Sequence, residues 1–109
     1  MKKAKIITMC GSLRFQKELI EEADRLALAG NCVLSVIYPS KGKELYTESE
    51  RKVLSKMHYQ RIDMSDAVYI VNVDGYIGES TRSEMEYAFA KGKEVLSLVP
   101  INERGASND

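Results

Sequence analysis

Residues 67–73 read AVYIVNV, an apolar run broken by a single asparagine. A strand with one wet face alternates apolar and polar residues, whereas a strand covered on both faces is apolar at nearly every position. Covering both faces is what helices do to a parallel sheet, so this stretch predicts an α/β architecture. The flanks agree. Upstream, Thr47 and Glu50 have capping-box spacing, and Val53, Leu54, Met57, Ile62 and Met64 keep a helical period, predicting a helix over 48–64. Downstream, a third helix is predicted over 81–91, closed by Gly92, and EVLSLVP at 94–100 reads as a further strand.

The N-terminal half repeats the alternation. KIITMC at 5–10 is a β-prone run that stops at Gly11-Ser12. Phe15, Leu19, Ile20, Ala23, Leu26 and Ala27 then recur every three or four residues until Gly30 and Asn31, predicting a helix over 15–29. CVLSVIY at 32–38 is a second strand halted by Pro39, followed by the polar loop SKGKELY at 40–46, and the tail from residue 101 is polar. The expected fold is a single-domain open parallel sheet of four to five strands with helices on both faces, flavodoxin- or Rossmann-like.

Bulk properties narrow the function. Sixteen Lys and Arg balance sixteen Asp and Glu in 109 residues that are 44% apolar, which suits one domain and gives no overall field for a nucleic acid polymer or an anionic membrane. No apolar run approaches the roughly 18 residues of a membrane span, and Met1-Lys2-Lys3 leads into no signal-peptide pattern, so a cytoplasmic protein is expected. Cys10 and Cys32 lack metal-ligand spacing and read as reduced thiols in packed positions; neither metal nor cofactor is expected.

In such sheets ligands bind beyond the carboxyl ends of the strands, where the strand order switches. Two loops qualify. In CGSLRF at 10–15, Gly11 allows a tight turn, the following amides point towards the cleft at the positive end of a helix, and Ser12 and Arg14 add a hydroxyl and a forked cation, a combination suited to phosphate or carboxylate. A plain strand-to-helix turn, with Ser12 as N-cap and Arg14 solvated, is equally compatible. The later glycines of the dinucleotide fingerprint are missing.

The second loop is GYIGESTRSEMEYA at 75–88. Gly75 and Gly78 let the chain pass close to a ligand, and Tyr76 between them could stack on a base or cover the edge of the core. Thr81 and Glu84 match a capping box, in which Glu84 folds back on its own helix. Alternatively, a carboxylate in the first turn of a helix stays ionised in the positive field there, the state a nucleophile needs. Glu84 and Glu86 flank the stripe of Met85, Ala88 and Phe89 on opposite sides; Glu84 is nearer the loop and the better candidate to face a cleft.

Together, CGSLR after the first strand and GYIGESTRSEMEYA before the last helix resemble the nucleoside 2-deoxyribosyltransferase superfamily, nearest its nucleoside 5′-monophosphate N-glycosidase subgroup. The resemblance spans strand one to strand four. It implies that Glu84 is the catalytic glutamate, that Ser12 and Arg14 hold a 5′-phosphate, and that Ser80 or Thr81 adds hydroxyl donors to the phosphate or sugar. It also implies a homodimer or higher homo-oligomer, with which the small size of the chain agrees. Two positions depart: Thr8 stands where the family commonly has a tyrosine, and His58 where it has an aspartate.

The implied activity is hydrolysis, or base exchange, at the N-glycosidic bond of a (deoxy)nucleoside 5′-monophosphate. Glu84 would stabilise or trap the oxocarbenium-like sugar, and His58, of a residue type that exchanges a proton near neutral pH, would protonate the leaving base. Asp63 is the reserve proton donor, although acids near a helix end are commonly solvated or capping. Two alternatives stay open: a nucleotide-binding protein without turnover, and a transferase acting on free nucleosides. A flavodoxin-like FMN binder is disfavoured, because the first loop is short in hydroxyls and no aromatic pair flanks it.

Overall fold

A computed structural model of the chain describes residues 3–101. At its centre lies β3 (Ala67–Ile70), buried at every position and paired in parallel with β1 (Ile6–Cys10) on one side and β4 (Glu94–Ser97) on the other. The three-residue β2 (Cys32–Leu34) pairs in parallel with the outer edge of β1, giving the order β2-β1-β3-β4. The sheet is therefore the open parallel one expected, in the strand order that begins a flavodoxin-type sheet.

Alternation along the two central strands divides the core. Ile7, Met9, Ala67, Tyr69 and Val71 face α1 (Gln16–Leu28), which contributes Leu19 and Leu26. Cys10, Val68 and Ile70 face the opposite way, onto Ile62 of α2 (Glu48–Asp63) and onto Met85 and Ala88 of α3 (Glu79–Ala90). Helices end up on both faces because the chain steps outward from β1 to β2 and then crosses back to β3 and β4, and right-handed crossovers in opposite directions lie on opposite sides. Each fully buried Ile, Leu or Met contributes about 1.5–3 kcal/mol, so the two layers dominate stability.

Local signals set the element ends. Thr47 Oγ1 accepts from the Glu50 amide while the Glu50 carboxylate accepts from the Thr47 amide, the full capping box. Gly30 and Gly92 end α1 and α3 with φ of 100° and 76°, a left-handed turn that glycine adopts without strain. Asp66 accepts from the Ile6 amide at 2.9 Å, tying the start of β1 to the residue before β3. On the α1 face, the Tyr69 hydroxyl donates to Glu22 at 2.7 Å, and Arg25 donates to the same carboxylate.

Three strands are shorter than the apolar runs that predict them. β3 and β4 stop after Ile70 and Ser97, where the buried Asn72 amide takes over: it donates to the Val99 carbonyl at 3.0 Å and accepts from the Val99 amide at 3.1 Å. After Leu34 the chain leaves the sheet, and Val36, Ile37 and Pro39 form a wall beside it. The α2 stripe also differs from expectation. Val53, Leu54 and Met57 are exposed, while His58 and Ile62 are buried, because α2 packs on the sheet only through its C-terminal half. Phe89, expected in the stripe of α3, is 77% exposed. The polar tail, residues 102–109, lies outside the described residues.

Candidate functional site

A cleft of about 300 Å³ opens beyond the carboxyl ends of the central strands. Gly11 and Leu13 form its base, and the segment after β2 supplies Val36, Ile37, Pro39, Lys43 and Tyr46. From α2 come Arg51, Leu54, Ser55, His58 and Arg61, spaced by three and four residues along one face of the helix. Ser80 and Glu84 of α3 complete it.

The position of Glu84 follows from where α3 begins. The helix starts at Glu79 with Gly78 as N-cap, two residues earlier than predicted. Thr81 is therefore a buried residue inside the first turn rather than a cap, and the Thr81–Glu84 capping box does not form. The first-turn acid is Glu79, so the field of the helix end acts less on Glu84 than expected. The Glu84 carboxylate instead lies 3.3 Å from His58 Nε2, with the Glu84 side chain 17% and the His58 side chain 10% exposed. Glu86, the periodic alternative, is exposed.

The same His58 nitrogen lies 3.5 Å from Cys10 Sγ. Burial pushes the Cys10 thiol well above its ordinary range, and the negative charge of Glu84 and a hydrogen bond to it push the same way; the Arg61 guanidinium pulls in the opposite sense. Cys10 is thus a neutral thiol, not an activated nucleophile. Arg61 Nε is buried and has no hydrogen-bond partner among the described residues. Thr8, on the same face of β1 as Cys10, is also buried; its hydroxyl donates to the Arg61 carbonyl at 3.1 Å and contacts Ser65. It fixes the end of α2 against the sheet and takes no part in the cleft.

The two loops singled out in the sequence meet. Arg14 lies with its guanidinium carbon 4.4 Å from the centre of the Tyr76 ring, and Tyr76 packs edge-on against Phe15. Ser12 accepts from the Arg14 amide at 3.3 Å and caps the short 3-10 turn Leu13–Phe15. Neither Ser12 nor Arg14 lines the cleft, whereas Gly11 and Ser80 do. Gly75 has φ of 82° and Asp74 φ of 55°, a left-handed pair that turns the chain after β3, and the Tyr76 hydroxyl lies over Gly78. Asp63 sits apart: it is exposed and accepts from the Tyr87 hydroxyl at 2.6 Å, so the reserve proton donor has no access to the cleft.

Cys10, Arg51, Arg61 and the 36–46 wall were missed in the sequence. Two of them carried a signal: Cys10 immediately precedes the turn glycine at the end of a buried strand, and Arg61 lies one helical turn beyond His58.

No protein-family model matches the chain, and no curated protein does. Among solved structures the chain is similar to the crystal structure of a conserved protein from Enterococcus faecalis V583, with a TM-score of 0.63 and 21% identity over 94% of this chain and 67% of that one. That likeness is one of fold. Among the described residues no helix is long and apolar enough to cross a membrane.

Proposed function

We propose that the protein cleaves the N-glycosidic bond of a (deoxy)nucleoside 5′-monophosphate, with Glu84 as the carboxylate that meets C1′ and His58 as the proton donor to the departing base. The observation that carries this reading is the Glu84–His58 pair, 3.3 Å apart and mostly shielded, at the C-terminal ends of the central strands. A carboxylate committed to its own helix cap could not act there, and Glu84 is not so committed.

The chemistry runs in two steps. As the C1′–N bond lengthens, positive charge grows on the sugar and the Glu84 carboxylate stabilises it or closes onto C1′, while a proton from His58 moves to the base. Water then attacks C1′ of the glycosyl ester, its hydroxyl going to the sugar and its proton to His58 as the Glu84 carboxylate leaves; attack by a second base would make the same enzyme a transferase. At 3.3 Å the two groups are in contact, so on this reading the entering sugar parts the two side chains. Anchoring the 5′-phosphate fixes C1′ over the carboxylate, using remote binding energy for position. Two cationic groups compete for that anchor: Arg14 of the Gly11–Arg14 turn, which stands outside the cleft lining, and Lys43 with Arg51, which belong to it. Self-association is part of the proposal, with exposed Val53, Leu54 and Met57 beside the cleft as a surface for it.

The test is a panel of nucleoside 5′-monophosphates and the matching nucleosides, followed by chromatography of free base, with Glu84→Ala as control. Base is expected from monophosphates, more slowly from nucleosides, and not from the variant. Undiminished release by Glu84→Ala overturns the assignment, while tight binding without release identifies a nucleotide-binding protein instead. Arg14→Ala and Arg51→Ala compared in KM locate the phosphate: the true anchor raises KM for monophosphates and leaves that for nucleosides unchanged.

A further inference from the structure

We infer that Cys10 Sγ, His58 Nε2 and the Glu84 carboxylate form a three-ligand site for a divalent transition metal of the zinc type, with the fourth position open to the cleft. The three ligand atoms lie within 4.8 Å of one another. Zinc bonds of about 2.3 Å to sulfur, 2.0–2.1 Å to nitrogen and 2.0–2.2 Å to oxygen, set at tetrahedral angles, put sulfur and nitrogen about 3.5–3.6 Å apart and nitrogen and oxygen about 3.3–3.5 Å apart. The observed separations are 3.5 and 3.3 Å. A metal ion fits the two edges that share the imidazole as they stand, and the third, from sulfur to carboxylate, lies within 4.8 Å and closes to the about 3.6 Å of a tetrahedral site by rotation of the Glu84 side chain.

The chemistry of the set agrees with the distances. A thiolate and a carboxylate balance the charge of a divalent ion, and a neutral imidazole completes a mixed sulfur, nitrogen and oxygen set of the kind zinc accepts. The ligands come from three regular elements, β1, α2 and α3, so the backbone holds the site rather than a mobile loop. His58 presents one nitrogen to both neighbours, and in the Nδ1–H tautomer its single lone pair is aimed between them. Binding exchanges one ion for one proton: the S–H bond breaks, the proton goes to solvent and the sulfur electron pair goes to the metal. Arg61, which lines the same cleft and whose Nε has no partner among the described residues, leaves the loaded site with one positive charge, which favours an anion such as hydroxide or phosphate in the open position.

The inference is independent of the glycosidase reading, but the two share atoms. A metal on Glu84 and His58 removes both the carboxylate and the proton donor, so zinc would inhibit base release rather than support it.

Titration of the full, reduced and chelator-treated protein with Co²⁺ and then Zn²⁺ decides it. One equivalent of Co²⁺ should give a thiolate-to-cobalt charge-transfer band in the near ultraviolet with visible bands of tetrahedral strength, and Zn²⁺ should abolish both. Cys10→Ser should lose the charge-transfer band and bind Zn²⁺ at least about tenfold more weakly, since even outer-shell losses cost ten- to a hundredfold. Cys32→Ser, altering the exposed thiol, should change neither. If Cys10→Ser misfolds by circular dichroism, His58→Ala serves, with the charge-transfer band retained but affinity reduced. Weak octahedral spectra, no band at one equivalent, or a band that follows Cys32 overturns the site. Absence of any base release, with the cobalt spectrum as expected, would remove the glycosidase reading alone.

Discussion

Replacing Gly11 with alanine sets two opposing effects against each other at the base of the cleft. Gly11 is not in the left-handed backbone region, so alanine gains the usual benefit of a less flexible unfolded chain, about 0.4–1 kcal/mol. The added Cβ, however, would meet Val71 Cβ and the Val71 carbonyl oxygen at 3.2 Å and Leu19 Cδ2 at 3.3 Å. Two of these atoms are fixed by the sheet, since Val71 donates its amide to the Cys10 carbonyl, and Leu19 is fully packed. The turn must shift by a few tenths of an ångström, and overpacking of this kind costs about 1–3 kcal/mol. The net is a loss on the order of 1–2 kcal/mol, or a fall in Tm of about 5–15 °C for a domain of this size. Gly42→Ala is the control: its φ of −59° suits alanine, and the new Cβ would meet only the movable Glu44 side chain. Thermal and urea unfolding of both variants measure the difference. A Gly11→Ala protein as stable as Gly42→Ala would refute the close approach of β3 to the first turn on which the cleft is built.

Native protein treated with a thiol reagent should label rapidly at Cys32 and only on unfolding at Cys10, read as one fast thiol per chain that Cys32→Ser abolishes; two fast thiols would contradict the buried, neutral Cys10. The hydrogen bonds from Arg25 and then from Tyr69 hold the Glu22 carboxyl below its ordinary range, so this group stabilises the fold above the unfolded carboxylate pKa of about 4.3 and loses that contribution as pH falls through and below it. Tyr69→Phe should therefore cost about 1 kcal/mol at pH 7 in urea unfolding, with the gap to the parent narrowing by pH 3; a gap that does not change with pH would deny the link. Asn72→Ala, which orphans the Val99 amide and carbonyl, should cost about 2–4 kcal/mol at unchanged m-value.

Much of the fold was legible because single residues punctuate it. Thr47 with Glu50, Gly30 and Gly92 end their helices where local chemistry alone would end them, and the apolar run at 67–73 marked the central strand. The strand ends were not legible, since whether residues 71–73 or 35–38 find a hydrogen-bonding neighbour depends on where the partner strands stop. The start of α3 was misplaced because Gly78 caps the helix through its backbone, while Thr81 carried the more familiar side-chain signature. That displacement matters for the site, because it releases Glu84 towards His58. Cys10 was read as a packed thiol in preference to a catalytic one: its two neighbours in space are 48 and 74 positions away along the chain, beyond the reach of any spacing rule. The exposed stripe on α2 shows the reverse failure, a helical period that expects burial where the sheet has already ended.

The central claim is that the Glu84 carboxylate bonds or shields C1′ during cleavage. Rapid acid quench of the protein turning over a nucleoside 5′-monophosphate, followed by proteolysis and mass mapping, tests it most directly. A phosphorylated sugar ester on the peptide of α3, fixed to Glu84 and absent from Glu84→Gln, is the expected result. Turnover that leaves the sugar on another side chain, or that Glu84→Gln sustains at the parent rate, would contradict it.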